Sequence, residues 1–153
     1  MKVIEDNILG KLTFDDNNIM NAVIELGDQK IDLLIEGDIN NDKINKKAIS
    51  VTKDLISDFD RLDKEMRAFA AEELTENAND WLADSLEEGE TAEEITEESF
   101  ADRMVPECLS VFGIAENDIG YDMYYGDNDM FWGHTIIVSG TPEDGIESAD
   151  ICG

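Results

Sequence analysis

The first forty residues alternate short apolar runs with turn-forming residues. The runs are KLTF (11–14), IMNAVIEL (19–26) and KIDLLIEGD (30–38), and DDNN and GD break them. Short runs bounded by Asp, Asn and Gly are typical of strands joined by hairpin turns. We therefore expect an antiparallel meander in the N-terminal part of the chain.

A helical period replaces this pattern at Asn41 or Asp42, either of which can serve as an N-cap. Apolar residues then recur every three or four positions, at Ile44, Ala48, Val51, Leu55, Phe59, Leu62, Met66 and Phe69. This stripe predicts one long amphipathic helix. A coiled coil would show the same stripe, and a helix that covers the sheet is the preferred interpretation.

Shorter helical signals follow beyond Ala71. The stretch NANDWLADSLEEGE predicts a short helix that turns Trp81 inward and ends near Gly89. TAEE has the spacing of a capping box, and Thr96 can cap another short helix with Phe100 on its apolar side.

Strand patterns return at Val105. VPECLSVFG, IGYDMYY and MFWGHTIIVSG are separated by IAEND and GDND, and GIESADI can add an edge strand. Turn-forming residues at each break predict a second antiparallel meander. The order of strands, helices and strands predicts an α+β fold, layered as a single domain over residues 1–153, rather than a parallel doubly wound sheet.

Length and composition set the compartment and the redox state that we expect. The opening MKVIEDNILG lacks the pattern of a signal peptide, and no later run approaches the eighteen or so apolar residues of a membrane span. We expect a cytoplasmic protein. Cys108 and Cys152 have no CxxC spacing, so we interpret both as reduced thiols, with Cys108 packed in the core.

Charge is distributed unevenly along the chain. Residues 1–71 carry 15 acidic and 10 basic side chains, whereas residues 72–153 carry 23 acidic side chains and one basic side chain, Arg103. Residues 72–102, called here the acidic segment, hold 13 carboxylates and no Lys or Arg. Such a field repels nucleic acid and anionic membranes and speeds encounter with a basic protein. For this segment alone, a solvated surface that favours solubility is the alternative interpretation.

Catalytic chemistry has weak support in the sequence. His134 is the only histidine, and Thr135, Ser139 or Cys108 can be nominated as its nucleophile only by assuming contacts. No GxSxG motif accompanies it. A hydrolase that uses His134 is therefore the least favoured function, and we predict no catalytic residues.

Metal and cofactor motifs are missing from the sequence. DNDMF spaces Asp127 and Asp129 as an EF-hand loop begins, but Trp132 and Val138 stand where that loop needs glycine and glutamate. A turn whose carboxylates accept hydrogen bonds from nearby amides is the preferred interpretation. No zinc or phosphate-binding motif occurs either, so we predict no metal and no cofactor.

The stretch MFWGH concentrates aromatic side chains near the C-terminal end. In a strand, the rings of Phe131 and Trp132 would face opposite sides, and His134 would return to the face of Trp132. We interpret the stretch as a structural hairpin whose exposed aromatic face can contact a partner.

The sequence YYGDNDMFWGHTIIVSG, followed by ESADICG, resembles the C-terminal signature of a bacterial family known only as a domain of unknown function. The resemblance is clearest over residues 119–153. Related acidic α+β domains occur among the immunity proteins of bacterial polymorphic toxin systems. The resemblance therefore implies a toxin-neutralising role.

These observations lead us to expect a cytoplasmic immunity protein that is not an enzyme. Its expected partner is a cognate protein toxin, with a basic nuclease domain as the preferred candidate, which it blocks by occlusion; nucleic acid and membranes are not expected partners. The alternative is an acidic adaptor or DNA mimic that binds another cellular protein. We expect a monomer or a weak homodimer. The residues expected at the interface are Glu87, Glu88, Glu93, Glu94, Tyr124, Tyr125, Asp127, Asp129, Trp132 and His134.

Overall fold

The computed structural model describes residues 2–152, which form one eight-stranded sheet and three helices. The strands are β1 (Val3–Asp6), β2 (Gly10–Phe14), β3 (Ile19–Leu26), β4 (Gln29–Glu36), β5 (Val105–Phe112), β6 (Gly120–Gly126), β7 (Thr135–Thr141) and β8 (Gly145–Cys152). The helices are α1 (Asp42–Ser57), α2 (Phe59–Ser85) and α3 (Glu97–Arg103). The predicted α+β class is confirmed, with strands, helices and strands in that order.

The two predicted meanders join in a single sheet. The strand order follows the chain from β1 to β8, and every neighbouring pair is antiparallel except β4 and β5. Those two are parallel, with Asp32 opposite Cys108 and Ile35 opposite Val111. A hairpin turn cannot connect parallel strands, so the three helices carry the chain back along the sheet. The sequence predicted both meanders but not their union.

Helices cover one face of the sheet. Helix α1 packs on β4 and β5, and α2 packs on β7 and β8. Leu33, Val111 and Val138 point from the strands into this layer and are fully buried. The opposite face is open, and Val23 there is 60% exposed. Alternation along each strand therefore separates a helix-covered core from a solvated face.

The predicted helix from Asn41 to Phe69 is broken at Asp58. Asn41 is the N-cap, and its side chain accepts a hydrogen bond from the amide of Ile44, as predicted. Asp58 leaves the helical conformation, with φ −128° and ψ 47°. Ser57 and Asp58 supply side-chain oxygens that compete for local hydrogen bonds, and the Ser57 hydroxyl donates to the carbonyl of Asp54. The prediction of one continuous helix was wrong because this competition interrupts it.

The second half of the helical region corrects two further predictions. Helix α2 continues through the predicted short helix to Ser85, because neither Gly nor Pro stands in that range. TAEE starts no helix, since residues 91–94 are non-helical. The capping box belongs to Thr96, whose hydroxyl accepts from the amide of Ser99 while the Ser99 hydroxyl accepts from the amide of Thr96. Phe100 is fully buried, as predicted.

Two predictions near the C-terminal meander also need correction. MFWGH is a turn rather than the start of a strand, because β7 begins only at Thr135. Cys108 lies half-buried on the open face instead of in the core. Burial, with Asp32 and Glu107 nearby, raises the pKa of its thiol to about 11.

Among residues 2–152, no helix is both long and apolar enough to cross a membrane.

Candidate functional site

The turn between β6 and β7, residues 127–134, is organised around one buried carboxylate. Asp127 accepts hydrogen bonds from the amides of Phe131 at 2.7 Å, Gly133 at 3.0 Å and Asp129 at 3.2 Å. Asp127 is only 4% exposed. The prediction that the Asp-rich turn binds its own amides is confirmed. This segment is called the aromatic turn below.

The backbone of the aromatic turn is strained at Trp132. Asn128, Asp129 and Trp132 all have left-handed φ angles, of 49°, 64° and 57°. Asn and Asp tolerate this region, whereas a bulky side chain there costs about 1–2 kcal/mol. The strained conformation directs the Trp132 ring outward, where it is 57% exposed, while Phe131 beside it is fully buried. One ring therefore anchors the turn and the next ring faces solvent.

Three aromatic rings of the turn gather around Trp81 of α2. The centroid of the Trp81 ring lies 4.6 Å from that of Trp132, 5.2 Å from that of His134 and 5.3 Å from that of Phe131. The Phe131 and His134 rings meet Trp81 edge-on, an arrangement that aromatic pairs favour. Trp81, Trp132 and His134 form what we call the aromatic cluster. Its outermost member is Trp132.

His134 is held by a backbone contact. Its Nδ1 lies 2.6 Å from the carbonyl oxygen of Phe131, which can only accept, so Nδ1 carries a proton and donates. No carboxylate among the described residues hydrogen-bonds this ring. The Ser139 hydroxyl instead donates to Asp122 at 2.6 Å on the open face of the sheet. Cys108 lies on the same open face. The structure therefore does not bring His134 together with either of these nominated nucleophiles.

The acidic segment is docked beside the aromatic turn. The side chain of Asn79 exchanges two hydrogen bonds with the backbone of Ile95, at 2.8 Å and 2.9 Å, which fixes the loop against α2 two residues before Trp81. The Phe100 ring of α3 packs edge-on to Phe131 at 6.0 Å. Arg103 donates to the carbonyl of Asn128 at 2.7 Å. These contacts place α3 and the loop before it at the same end of the molecule as the aromatic cluster.

The carboxylates of the acidic segment all face solvent. The thirteen residues are Glu72, Glu73, Glu76, Asp80, Asp84, Glu87, Glu88, Glu90, Glu93, Glu94, Glu97, Glu98 and Asp102, and each is exposed. Within the part of the chain that the structure describes, none of them forms a salt bridge. Their negative field is therefore not neutralised by ion pairs and extends over the end of the molecule that carries Trp132.

The predicted interface residues fall into three groups. Glu87, Glu88, Glu93 and Glu94 share one end of the molecule with Asp129, Trp132 and His134. Tyr124 lies on the open face of the sheet, because its neighbour Tyr125 points to the helices. Predicting Tyr125 at the interface was wrong: it is fully buried, and its hydroxyl donates to Asp63 at 2.6 Å. Asp127 serves the backbone of the turn and is not available to a partner.

Sequence reasoning missed the part that Trp81 plays. Its place on an apolar helix stripe predicted a core residue, and nothing in the spacing links Trp81 to Trp132. Asn79 and Arg103, which dock the acidic segment, carried no signal either, since a single Asn or Arg fits a solvated surface equally well. Residues 2–152 contain no group of three or more His, Cys, Asp or Glu side chains placed to hold a metal ion.

Comparison with known families agrees with the resemblance noted in the C-terminal sequence. A family model described as "Uncharacterized protein conserved in bacteria (DUF2262)" matches residues 6–151. No curated protein and no solved structure gives a significant match to the chain. Because the matched range spans nearly the whole sequence, the chain belongs to the DUF2262 family of uncharacterized bacterial proteins.

Proposed function

We propose that this protein is a non-enzymatic binding protein that neutralises a basic protein partner by covering its working surface. The observation that carries the proposal is Trp132, which is 57% exposed and held in a left-handed backbone conformation at the edge of the acidic segment. Exposure of a large ring and backbone strain both lower stability. A functional contact explains why a fold would retain them together.

The surroundings of Trp132 match the anatomy of a binding hot spot. Tryptophan is enriched among the residues that dominate binding energy, and such residues pack tightly against their neighbours. Trp81 and His134 support the Trp132 ring, and the Asp127 carboxylate fixes the turn that carries it. The ring therefore needs little ordering when a partner covers it, which lowers the entropic cost of binding.

The acidic segment supplies the second part of the proposed interface. Thirteen exposed carboxylates, in a segment that itself contains no Lys or Arg, create a negative field beside the aromatic cluster. A field of this sign accelerates encounter with a basic surface and rejects acidic competitors. Surfaces that bind nucleic acid are basic, so a nuclease is a partner that this field would favour.

More specifically, the proposed role is that of a cytoplasmic immunity protein in a bacterial toxin system, of which contact-dependent inhibition is one kind. It rests on the sequence resemblance to families that contain immunity proteins. In this proposal the acidic segment occupies the cationic surface that a nuclease toxin uses for phosphates, and Trp132 provides the desolvated anchor. Neutralisation then follows from occlusion and needs no catalytic residue in this chain.

The first experiment is a pull-down from the source bacterium with three baits: wild type, Trp132→Gly and Val23→Ala. Glycine adopts the left-handed conformation of residue 132 without strain, so this variant should fold. Val23 is a matched control because it is 60% exposed but lies on the open face of the sheet. We expect wild type and Val23→Ala to capture the same basic protein and Trp132→Gly to bind it at least about 30-fold more weakly.

The toxin role is tested in cells. The captured protein, expressed alone, should stop growth, and co-expression of wild type should restore it. Trp132→Gly should fail to restore growth although it accumulates normally. Capture of a partner that has no effect on growth would support an adaptor role instead. Equal binding by Trp132→Gly and wild type would contradict the proposed interface.

Electrostatic steering is tested with binding kinetics over a salt series. Replacing Glu87, Glu88, Glu93 and Glu94 with glutamine should slow association about tenfold at low salt. The difference should shrink as salt rises past physiological levels, where the screening length is about 8 Å. The control replaces four exposed acids elsewhere: Glu25→Gln, Asp28→Asn, Glu116→Gln and Glu143→Gln. Identical salt slopes for the two quadruple variants would exclude the acidic segment from the interface.

A further inference from the structure

A cleft of about 350 Å³ opens where α1 meets α2, facing the hairpin between β7 and β8. We call it the hinge cleft because the helix break at Asp58 forms its rim. Its apolar walls come from Val51, Leu55, Leu62 and Ile146. Its rim carries four charged side chains, Asp54, Asp58, Arg61 and Glu65. A small concave site with apolar walls and a few polar groups is typical of ligand pockets.

Tyr121 lines the cleft with an unpaired hydroxyl. The side chain crosses Gly140 of β7, where an added Cβ would lie 2.7 Å from the hydroxyl oxygen. Tyr121 is only 2% exposed as a whole residue, and its hydroxyl bonds no residue between 2 and 152; since no buried side-chain oxygen in that range lacks a partner, the hydroxyl oxygen is reached by solvent from the cleft. Tyr125, also buried, donates to Asp63. Because it meets solvent rather than a protein partner, the Tyr121 hydroxyl is free to hydrogen-bond a ligand in the cleft.

The rim has an excess of negative charge. Arg61 pairs with Asp58 at 2.6 Å and with Glu65 at 3.1 Å, so one cation serves two carboxylates. The carboxylate of Asp54 forms no salt bridge with any described residue. The cleft therefore has room for one more cationic group beside Asp54 and Glu65. Anionic ligands are disfavoured here and by the net charge of −27 on the whole chain.

We propose that the hinge cleft binds an organic cation with an aliphatic body, such as an alkylguanidinium or alkylammonium group. The charged head lies between Asp54 and Glu65 and donates a hydrogen bond to the Tyr121 hydroxyl. The aliphatic body packs on Leu55 and Leu62. Either a free small molecule or an arginine or lysine side chain of a polypeptide would supply this chemistry.

Two further observations agree with this assignment. Burial, together with Glu65 and Glu147, raises the pKa of Tyr121, so its hydroxyl stays neutral and can accept a hydrogen bond from the ligand. The cleft is also remote from the aromatic cluster, because Glu65 and Trp81 are separated by about 24 Å along α2. Binding in the cleft is therefore independent of the interface around Trp132, and either proposal can fail without the other.

The test is a calorimetric titration of the full chain with n-butylguanidinium and with n-butylurea, its uncharged isostere. We expect saturable binding of one butylguanidinium per chain with a Kd of about 1 mM, and no measurable binding of butylurea. Equal binding of the two compounds, or no saturable binding of butylguanidinium, would overturn the proposal.

Variants then assign binding to the cleft. Tyr121→Phe keeps the buried ring and should weaken butylguanidinium about tenfold, because a hydrogen bond to a charged group is lost. Asp54→Asn combined with Glu65→Gln should also weaken it about tenfold. The matched control, Glu73→Gln with Glu76→Gln, removes two exposed charges from α2 outside the cleft and should change the Kd less than about twofold. Equal weakening by both double variants would show diffuse attraction and overturn the proposal.

The source of the cation is resolved with a capped tripeptide that has a central arginine. Binding as tight as that of butylguanidinium, with the same loss in Tyr121→Phe, would support a polypeptide side chain as the natural occupant. Binding of butylguanidinium alone would support a free small molecule, because the peptide backbone would then be excluded by the rim. Thermal melting of each variant, run beside the titrations, identifies any loss caused by unfolding.

Discussion

The carboxylates of residues 2–71 and those of the acidic segment are placed in opposite ways. In the first region, five ion pairs join Lys2 to Asp42, Lys53 to Asp6, Arg61 to both Asp58 and Glu65, and Arg67 to Asp63. In the second region, thirteen exposed carboxylates make no ion pair within residues 2–152. The two regions share helix α2, so the difference does not come from their secondary structure.

This comparison distinguishes charges that stabilise the fold through ion pairs from charges that form none. Lys53 ties α1 to Asp6 at the end of β1, and Lys2 bonds both Asp42 and the carbonyl of Ile39. These contacts hold elements together across long stretches of chain. The carboxylates of the acidic segment form no ion pair with residues 2–152 and repel one another, which agrees with the proposed role of this charge in encounter with a partner.

The largest effect on stability is expected at Arg67, which forms one of the two least exposed ion pairs and also binds two backbone carbonyls. Arg67 bonds Asp63 at 2.9 Å, caps the carbonyls of Ala101 and Met104, and stacks over the Tyr125 ring. Arg67→Ala leaves these acceptors unpaired and should lower the free energy of unfolding by about 3 kcal/mol. Arg61→Ala, which breaks two solvent-exposed pairs, should cost far less. Urea unfolding measures both, and equal losses would contradict the distinction drawn here.

A somewhat smaller loss is expected when the carboxylate that orders the aromatic turn is removed. Asp127→Ala leaves three amides without their acceptor and should destabilise the protein by about 2 kcal/mol. Asp129→Asn is the control, because asparagine tolerates the left-handed backbone at that position and the exposed side chain of Asp129 accepts no hydrogen bond from residues 2–152. The fluorescence of Trp132 should change with the first variant and not with the second. Similar stability of both variants would show that the turn is held by its aromatic contacts alone.

The unpaired carboxylates should respond in the opposite direction. Replacing Glu87, Glu88, Glu93 and Glu94 with glutamine relieves repulsion and should raise the free energy of unfolding by about 1 kcal/mol at low salt. Salt should reduce this gain because it screens the same repulsion. Urea midpoints at two salt concentrations measure it. A loss of stability in this variant would show that these four side chains stabilise the folded protein, contrary to the expectation.

The smallest effect concerns pH and Asp6. Burial alone would raise the pKa of Asp6, but hydrogen bonds from the amides of Leu9 and Ile8 and from Lys53 lower it below its ordinary value. The stabilising contribution is therefore complete above pH about 4 and is lost as pH falls through the lowered pKa. Between pH 5 and pH 3, wild type should lose about 0.5 kcal/mol more than Asp6→Asn. If wild type and Asp6→Asn lose equal free energy of unfolding over this pH range, as measured by urea titration, protonation of Asp6 is not coupled to folding.

Most strands could be predicted closely from local patterns, although β1 was not predicted and β7 begins later than expected. IMNAVIEL coincides with β3, and GD forms the tight β3–β4 turn in which Gly27 adopts φ 64°. The turn requires a residue that accepts this conformation, which glycine does without strain. Local chemistry therefore determined these elements.

What could not be predicted depends on contacts between distant segments. The break at Asp58 reflects competition that an apolar stripe does not reveal, and the aromatic cluster joins Trp81 to a turn about fifty residues later. The hydroxyl of Tyr121 points into a cleft that exists only once α1 and α2 pack against the β7–β8 hairpin. The alternation of side chains along a strand correctly predicted that Phe131 and Trp132 face opposite sides. It did not predict the turn that places them there.

The parallel pairing of β4 and β5 has a consequence for how the chain folds. All other strand pairs are hairpin neighbours, which form within microseconds, whereas this pair brings Asp32 to Cys108. Closing so long a loop lowers the entropy of the chain before any stabilising contact forms. We therefore expect the centre of the sheet to assemble last. Until then the apolar edges of β4 and β5 are open to strands from other chains. The net charge of −27 keeps such half-assembled chains apart during that interval.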